Sequence, residues 1–177
     1  MRRKHNAGST ILEFTLVGIP MIFIWISTFE MARGMWNYHT LQYAVKMTAT
    51  YAAHHGATCG SPNSCSVNVS DIVTAFQNAA IGIPMSQTAL TLTTASGAVT
   101  TCNPVSTCST SSSWSTQWPP SSSSDNAVGK DIYVRADYTF TSALALFVPG
   151  HGSVRFGSSL GAGKFDFPGY SHQQILF

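Results

Sequence analysis

Residues 2–14 read Arg2-Arg3-Lys4-His5-Asn6-Ala7-Gly8-Ser9-Thr10-Ile11-Leu12-Glu13-Phe14, and the chain then stays apolar to Phe29. From Ile11 to Phe29 the run is broken only by Glu13, Thr15, Gly18, Pro20, Ser27 and Thr28. At ~1.5 Å per residue these 19 positions span roughly 28 Å, close to the thickness of a bilayer's hydrocarbon core. The basic cluster precedes the run, which places the N-terminus in the cytoplasm and exports the remainder of the chain. The chain is therefore expected to cross a membrane once. A secretory signal peptide begins similarly, but its small residues come after the apolar core. Here Ala7, Gly8 and Ser9 come before it, so a cut there leaves the helix on the mature protein.

Glu13 is the informative exception within this stretch. A carboxylate at the centre of a bilayer helix costs roughly 2.5–3.5 kcal/mol on insertion scales, and less near its end, so one placed here calls for a function. Pro20 removes the backbone bond to the Leu16 carbonyl and predicts a bend. Beyond the membrane, Tyr38, Leu41, Val45, Ala49 and Ala52 recur at three- and four-residue intervals and form one apolar stripe. His54-His55-Gly56 then reads as a stop, with Gly56 at the cap and the imidazoles at the negative helix end. One helix is expected from Ser9 to about His55, half in lipid and half amphipathic, its outer half packed on the exported domain.

Charged residues make up only 9% of the chain, against a usual quarter. From Ser9 onward there are six Lys/Arg against seven Asp/Glu. No basic face for nucleic acid can be assembled from so few cations. The four cysteines, Cys59, Cys65, Cys102 and Cys108, form two Cys-x5-Cys pairs, wider than usual zinc spacing. In an exported segment disulfides are the default, and three connectivities are open.

The segment 57–177 reads as an α+β domain. Ser70-Asp71 starts a short helix with Ile72, Val73, Phe76 and Ala80 on one face, stopped by Gly82 and Pro84. Ala89 to Thr94 reads as a strand. Asp131 to Thr141 is the clearest one, with Ile132, Val134, Ala136, Tyr138 and Phe140 on one side and polar residues on the other. Ser153 to Ser158 is expected to add a last strand. In residues 106–124, 13 of 19 are Ser or Thr, which predicts an exposed loop in which Trp114 and Trp118 offer a sticky or sugar-stacking surface. Catalytic patterns are wanting. There is no phosphate loop, and Asp131 and Asp137 stand about 20 Å apart along their strand, too far for paired acid–base work. His54 and His55 point about 100° apart on a helix and chelate poorly as a pair. No catalytic residue, metal site or cofactor is expected.

The basic leader, Gly8, Glu13-Phe14 and the apolar helix together resemble a type IV prepilin signal. The string Ile11 to Pro20, with Phe29-Glu30-Met31-Ala32-Arg33 and Ala44 to Ala53, is most similar to the TadE-like pseudopilins of the tight-adherence (Flp) pilus system. A weaker similarity continues through Ile132 to Phe140. The resemblance implies a structural protein, a minor pilin or pseudopilin contributing to pilus biogenesis and adhesion. It implies a leader of residues 1–8, removed by a prepilin peptidase between Gly8 and Ser9, and a long helix over 9–56. Glu13 and Phe14 then serve assembly, Glu13 pairing with the new Ser9 amine or with a neighbouring subunit's. The implied partners are the peptidase, other pilin or pseudopilin subunits, the inner-membrane assembly platform and the lipid bilayer. The competing reading is an uncleaved, membrane-anchored binding module.

Overall fold

The computed structural model describes residues 7–59, 65, 67–109, 114–120, 124–143 and 164–177, with the backbone alone for 7–10. Helix α1 runs unbroken from Ala7 to Ala53, with Pro20 inside it. Its ends lie close to the expected Ser9 and His55. The two halves of this helix have opposite environments. From Ile11 to Met31 the large apolar side chains stand in the open, Phe14 at 76% and Met31 at 72% exposure. From Gly34 onward one stripe is covered: Gly34, Asn37, Leu41, Ala44, Val45, Thr48, Ala49, Ala52 and Ala53. The expected stripe holds from Leu41 outward, but Tyr38 sits at its edge and remains 41% exposed.

Helix α2 spans Val69–Ala79. Asn68, rather than Ser70, is its cap residue, and the Asp71 carboxylate accepts the Asn68 backbone N–H at 2.9 Å. This contact satisfies an N–H that a helix start leaves without an intrahelical partner. Ile72, Val73 and Phe76 are fully buried. The chain then turns at Gly82, whose φ of +83° suits a residue without Cβ.

Four strands come next: β1 (Thr88–Thr93), β2 (Val99–Cys102), β3 (Asp131–Thr141) and β4 (Lys164–Gln174). They form one sheet in the order β2-β1-β3-β4, and every neighbouring pair is antiparallel. The chain is thus α+β, helices on one face of an antiparallel sheet. The expected bounds of β3 and its alternation hold: Ile132, Val134, Ala136, Tyr138 and Phe140 are buried. Leu90 and Leu92 of β1 pair with Ala136 and Val134 in register and join the same core.

β4 is an addition to the expected fold, whereas the expected strand at Ser153–Ser158 lies outside the described residues. β4 carries Pro168-Gly169 in its middle, a dipeptide that reads as a turn. As an edge strand it does without the proline's missing N–H. Gly169 is there for proximity: a Cβ built on it would lie 2.9 Å from Val45 Cγ2 and 3.2 Å from Leu41 Cγ.

Two further expectations change. Trp118 is 1% exposed and belongs to the core. It is held there because its backbone N–H donates to the Val67 carbonyl at 3.1 Å, while the Val69 backbone N–H donates to the Thr116 carbonyl at 3.1 Å. Trp114 also packs against the core. The described part of the Ser/Thr-rich segment is therefore stitched to the start of α2, and Trp118 offers no ring to a sugar. Gly56 is not a left-handed helix cap. It is buried where a Cβ would run into the Phe177 carbonyl and the Ile175 side chain and sit 2.9 Å from the Asn126 carbonyl. Its role is to let the C-terminal residues close over the helix end, where the Leu176 N–H donates to the Ala53 carbonyl at 3.0 Å.

Candidate functional site

The bare half of α1 is built as a bilayer requires. Its hydroxyls bond backward into the helix: Thr15 to the Ile11 carbonyl at 3.1 Å, Ser27 to Phe23 at 2.7 Å and Thr28 to Ile24 at 2.9 Å. Hydroxyls satisfied in this way present little unmet polarity to lipid. Ile11 to Ala53 is the one described helix long and apolar enough to cross a membrane, and its most apolar window has no protein cover. Such a helix is compatible with a membrane anchor.

Gly8 and Ser9 lie in the first turn of α1. Glu13 comes one turn later on an exposed surface, between Leu12 at 66% and Phe14 at 76% exposure. The helix therefore holds Ser9 and Glu13 at the i, i+4 spacing that puts two residues on one face. Among the described residues, none from the sheet or α2 covers Glu13 or Phe14.

Where α1 leaves its bare half, a polar clamp fixes the sheet to it. The Arg33 Nη2 donates to the Thr141 carbonyl at 2.7 Å and lies 3.5 Å from Glu30 Oε2. The same guanidinium sits 4.7 Å above the centre of the Phe140 ring. Glu30 Oε2 accepts the Ala143 N–H at 3.2 Å. Both residues act on β3 or the residues just past its end. In the sequence they serve only as the first charges after the apolar run. Their i, i+3 spacing was the available signal for a pair, but not for its backbone partners a hundred residues away. Farther along the helix, the buried Asn37 hydrogen-bonds Tyr138, whose phenol is pushed up chiefly by burial.

The sheet's open face carries a group of charged side chains along β3 and β4. Arg135 grips Asp137 through Nε at 2.9 Å and Nη2 at 2.8 Å. Asp131 lies 3.1 Å from His172 Nε2, and the His172 ring stacks on Tyr133 at 4.8 Å between centroids. Hydrogen bonds from His172, then Gln174, hold the Asp131 carboxyl below its ordinary range. Of the three open connectivities the cysteines take the local one, Cys59–Cys65 and Cys102–Cys108, with Cα separations of 5.3 and 6.1 Å. Among the described residues, no group of three or more His, Cys, Asp or Glu is placed to hold a metal ion. Gly157-Ser158-Ser159-Leu160-Gly161 has Gly-x-Ser-x-Gly spacing but lies outside the described residues, and that motif carries chemistry only on a strand-to-helix turn.

The helix decides the comparison with known proteins. Residues 8–50 match the family model of TadE-like proteins. The match covers most of α1 and ends before α2. No curated protein and no solved structure matches the chain.

Proposed function

We propose that this chain is a minor pilin or pseudopilin of a tight-adherence pilus, matured by a prepilin peptidase that cuts between Gly8 and Ser9. The observation that carries the reading is the division of α1. One continuous helix has an inner half with no protein cover and an outer half built into the core of the domain. Such a helix holds a folded domain at a fixed distance from the membrane, and its bare half can exchange lipid for the helices of other subunits. Since lipid tails are as apolar as leucine, that exchange needs close packing or a polar contact to drive it. Glu13 supplies the polar contact. After cleavage the Ser9 amine is an ammonium at the edge of the hydrocarbon, and Glu13 neutralises it or that of a neighbouring subunit, which sets the vertical stagger between chains.

In this scheme the N-terminus is cytoplasmic, α2 and the sheet are periplasmic, and the assembly platform of the inner membrane moves the subunit into or against a growing fibre that adheres to surfaces. The test is N-terminal sequencing and intact mass after co-expression with a prepilin peptidase. A chain beginning at Ser9 supports the proposal; retention of Met1 overturns it in favour of the uncleaved, anchored binding module.

A further inference from the structure

Just above the bare half of α1, helix and sheet enclose an apolar groove of about 610 Å³. That volume falls in the range of small-molecule pockets, about 300–1,000 Å³. One wall is Met31, Gly34 and Met35; the other is Phe140, Phe165 and Phe167. Gly34 widens it, because even a methyl there would touch Phe167 Cζ at 3.7 Å and Phe140 Cζ at 3.9 Å. Two methionines beside three phenyl rings make a surface that adapts to a flexible hydrocarbon.

We propose that this groove holds an acyl chain of a phospholipid from the periplasmic leaflet of the anchoring membrane, an inference that rests on the membrane reading above. Continuity is the first argument. Ser27 forms part of the lining, and it lies within the Ile11–Phe29 stretch, so the groove opens at hydrocarbon depth. It then climbs past Met35, about 9 Å above Phe29 at ~1.5 Å per residue. A chain entering it stays in mainly apolar surroundings.

The charge around the groove is the second argument. Arg33 reaches Thr141, which pairs in register with Lys164, and Thr139 pairs with Asp166. That register keeps Lys164 and Asp166 on the open face with Thr141 and Thr139, so at the edge of the groove one cation, Arg33, stands beside one acid, Glu30. A guanidinium has five N–H donors, more than Thr141 and Glu30 use, and its fork suits a phosphodiester. One charge of each sign complements a zwitterionic headgroup: Arg33 for the phosphate, Glu30 for the ammonium.

The test uses the full chain in vesicles of phosphatidylethanolamine and phosphatidylglycerol. A photoreactive benzoylphenylalanine is placed, one position at a time, at Phe23, Met35, Trp36 or Tyr170, and adducts are read by mass spectrometry. Trp36 is the height control, one residue from Met35 and facing a different surface, with His39 and Tyr43. Tyr170, 60% exposed on the open sheet face, is the distant control. The expected result is a lipid adduct at Met35 in a yield near that at Phe23 and several-fold above Trp36 and Tyr170, enriched in phosphatidylethanolamine over the vesicle composition. Equal yields at Met35 and Trp36 would overturn the proposal, because height alone would then explain the contact. A dimer or an intramolecular link at Met35 in place of lipid would overturn it by naming another occupant. Lipid at Phe23 without lipid at Met35 would remove the groove while keeping the anchor. No lipid at Phe23 would remove the membrane reading, and the groove with it.

Discussion

Replacing Gly169 with alanine tests how the sheet is seated on its helix. The new methyl would lie 2.9 Å from Val45 Cγ2 and 3.2 Å from Leu41 Cγ, where carbon atoms prefer about 3.5–4.0 Å. Val45 is β-branched and stiff at χ1, so it cannot swing clear, and α1 must move outward by several tenths of an ångström. Overpacking of this kind costs about 1–3 kcal/mol. Alanine recovers about 0.4–1 kcal/mol through the less flexible unfolded chain. The net loss is centred on about 1.3 kcal/mol, a fall in Tm of roughly 3–5 °C for a chain of this size. Val45→Ala, itself destabilising, opens the same space, so the pair should couple by about 0.5–3 kcal/mol in the favourable direction. The assay is thermal and urea unfolding of the full chain in micelles, monitored by the fluorescence of buried Trp118. A Gly169→Ala protein as stable as the parent, or two strictly additive changes, would refute the claim that this glycine exists for helix proximity.

Other outcomes rest on the same structure. Trp118→Ala should cost about 3–5 kcal/mol, as for a buried aromatic, and unfolding curves will show whether the Ser/Thr-rich segment is a free loop after all. Gly56→Ala should displace Ile175–Phe177, read as faster amide exchange at Leu176, whose N–H bonds to Ala53. His172→Ala should raise the Asp131 pKa toward its ordinary value, measured by NMR titration. Because that pKa is depressed in the folded protein, its stabilising share is present above the unfolded value and lost as pH falls through the folded one. Glu13→Ala should insert into the membrane normally yet give no pili; piliated cells would count against the assembly role.

What was legible in the sequence depended on periodicity and local chemistry. α1 emerges from its apolar run and the stripe beginning at Leu41, and β3 from strict alternation between Asp131 and Thr141. The acid at Asp71 marked α2 to within a residue. The cysteines showed as disulfide candidates, but spacing alone left their pairing open among three connectivities. β4 escaped because Pro168-Gly169 carries a turn's composition, and only the edge position and the approach of Val45 make it a strand. Trp118 escaped because composition averages over a segment, while burial is decided by two backbone hydrogen bonds to Val67 and Val69. Gly56 was recognisable as necessary, but its cause lies in Ile175 and Phe177, over a hundred residues away. The candidate site divides similarly. Gly8, Ser9, Glu13 and Phe14 are read from spacing along one helix, whereas the Arg33–Glu30 clamp needs β3 in place.

The Arg33–Glu30 clamp also fixes how this molecule would carry mechanical load. The clamp grips the end of β3 where α1 emerges, and β4 lies along the helix, with Phe167 beside Gly34 and Gly169 beside Val45. Tension pulled along α1 therefore reaches the sheet at several points together, through the Arg33 contact to Thr141 and the approaches of Gly34 to Phe167 and of Val45 to Gly169.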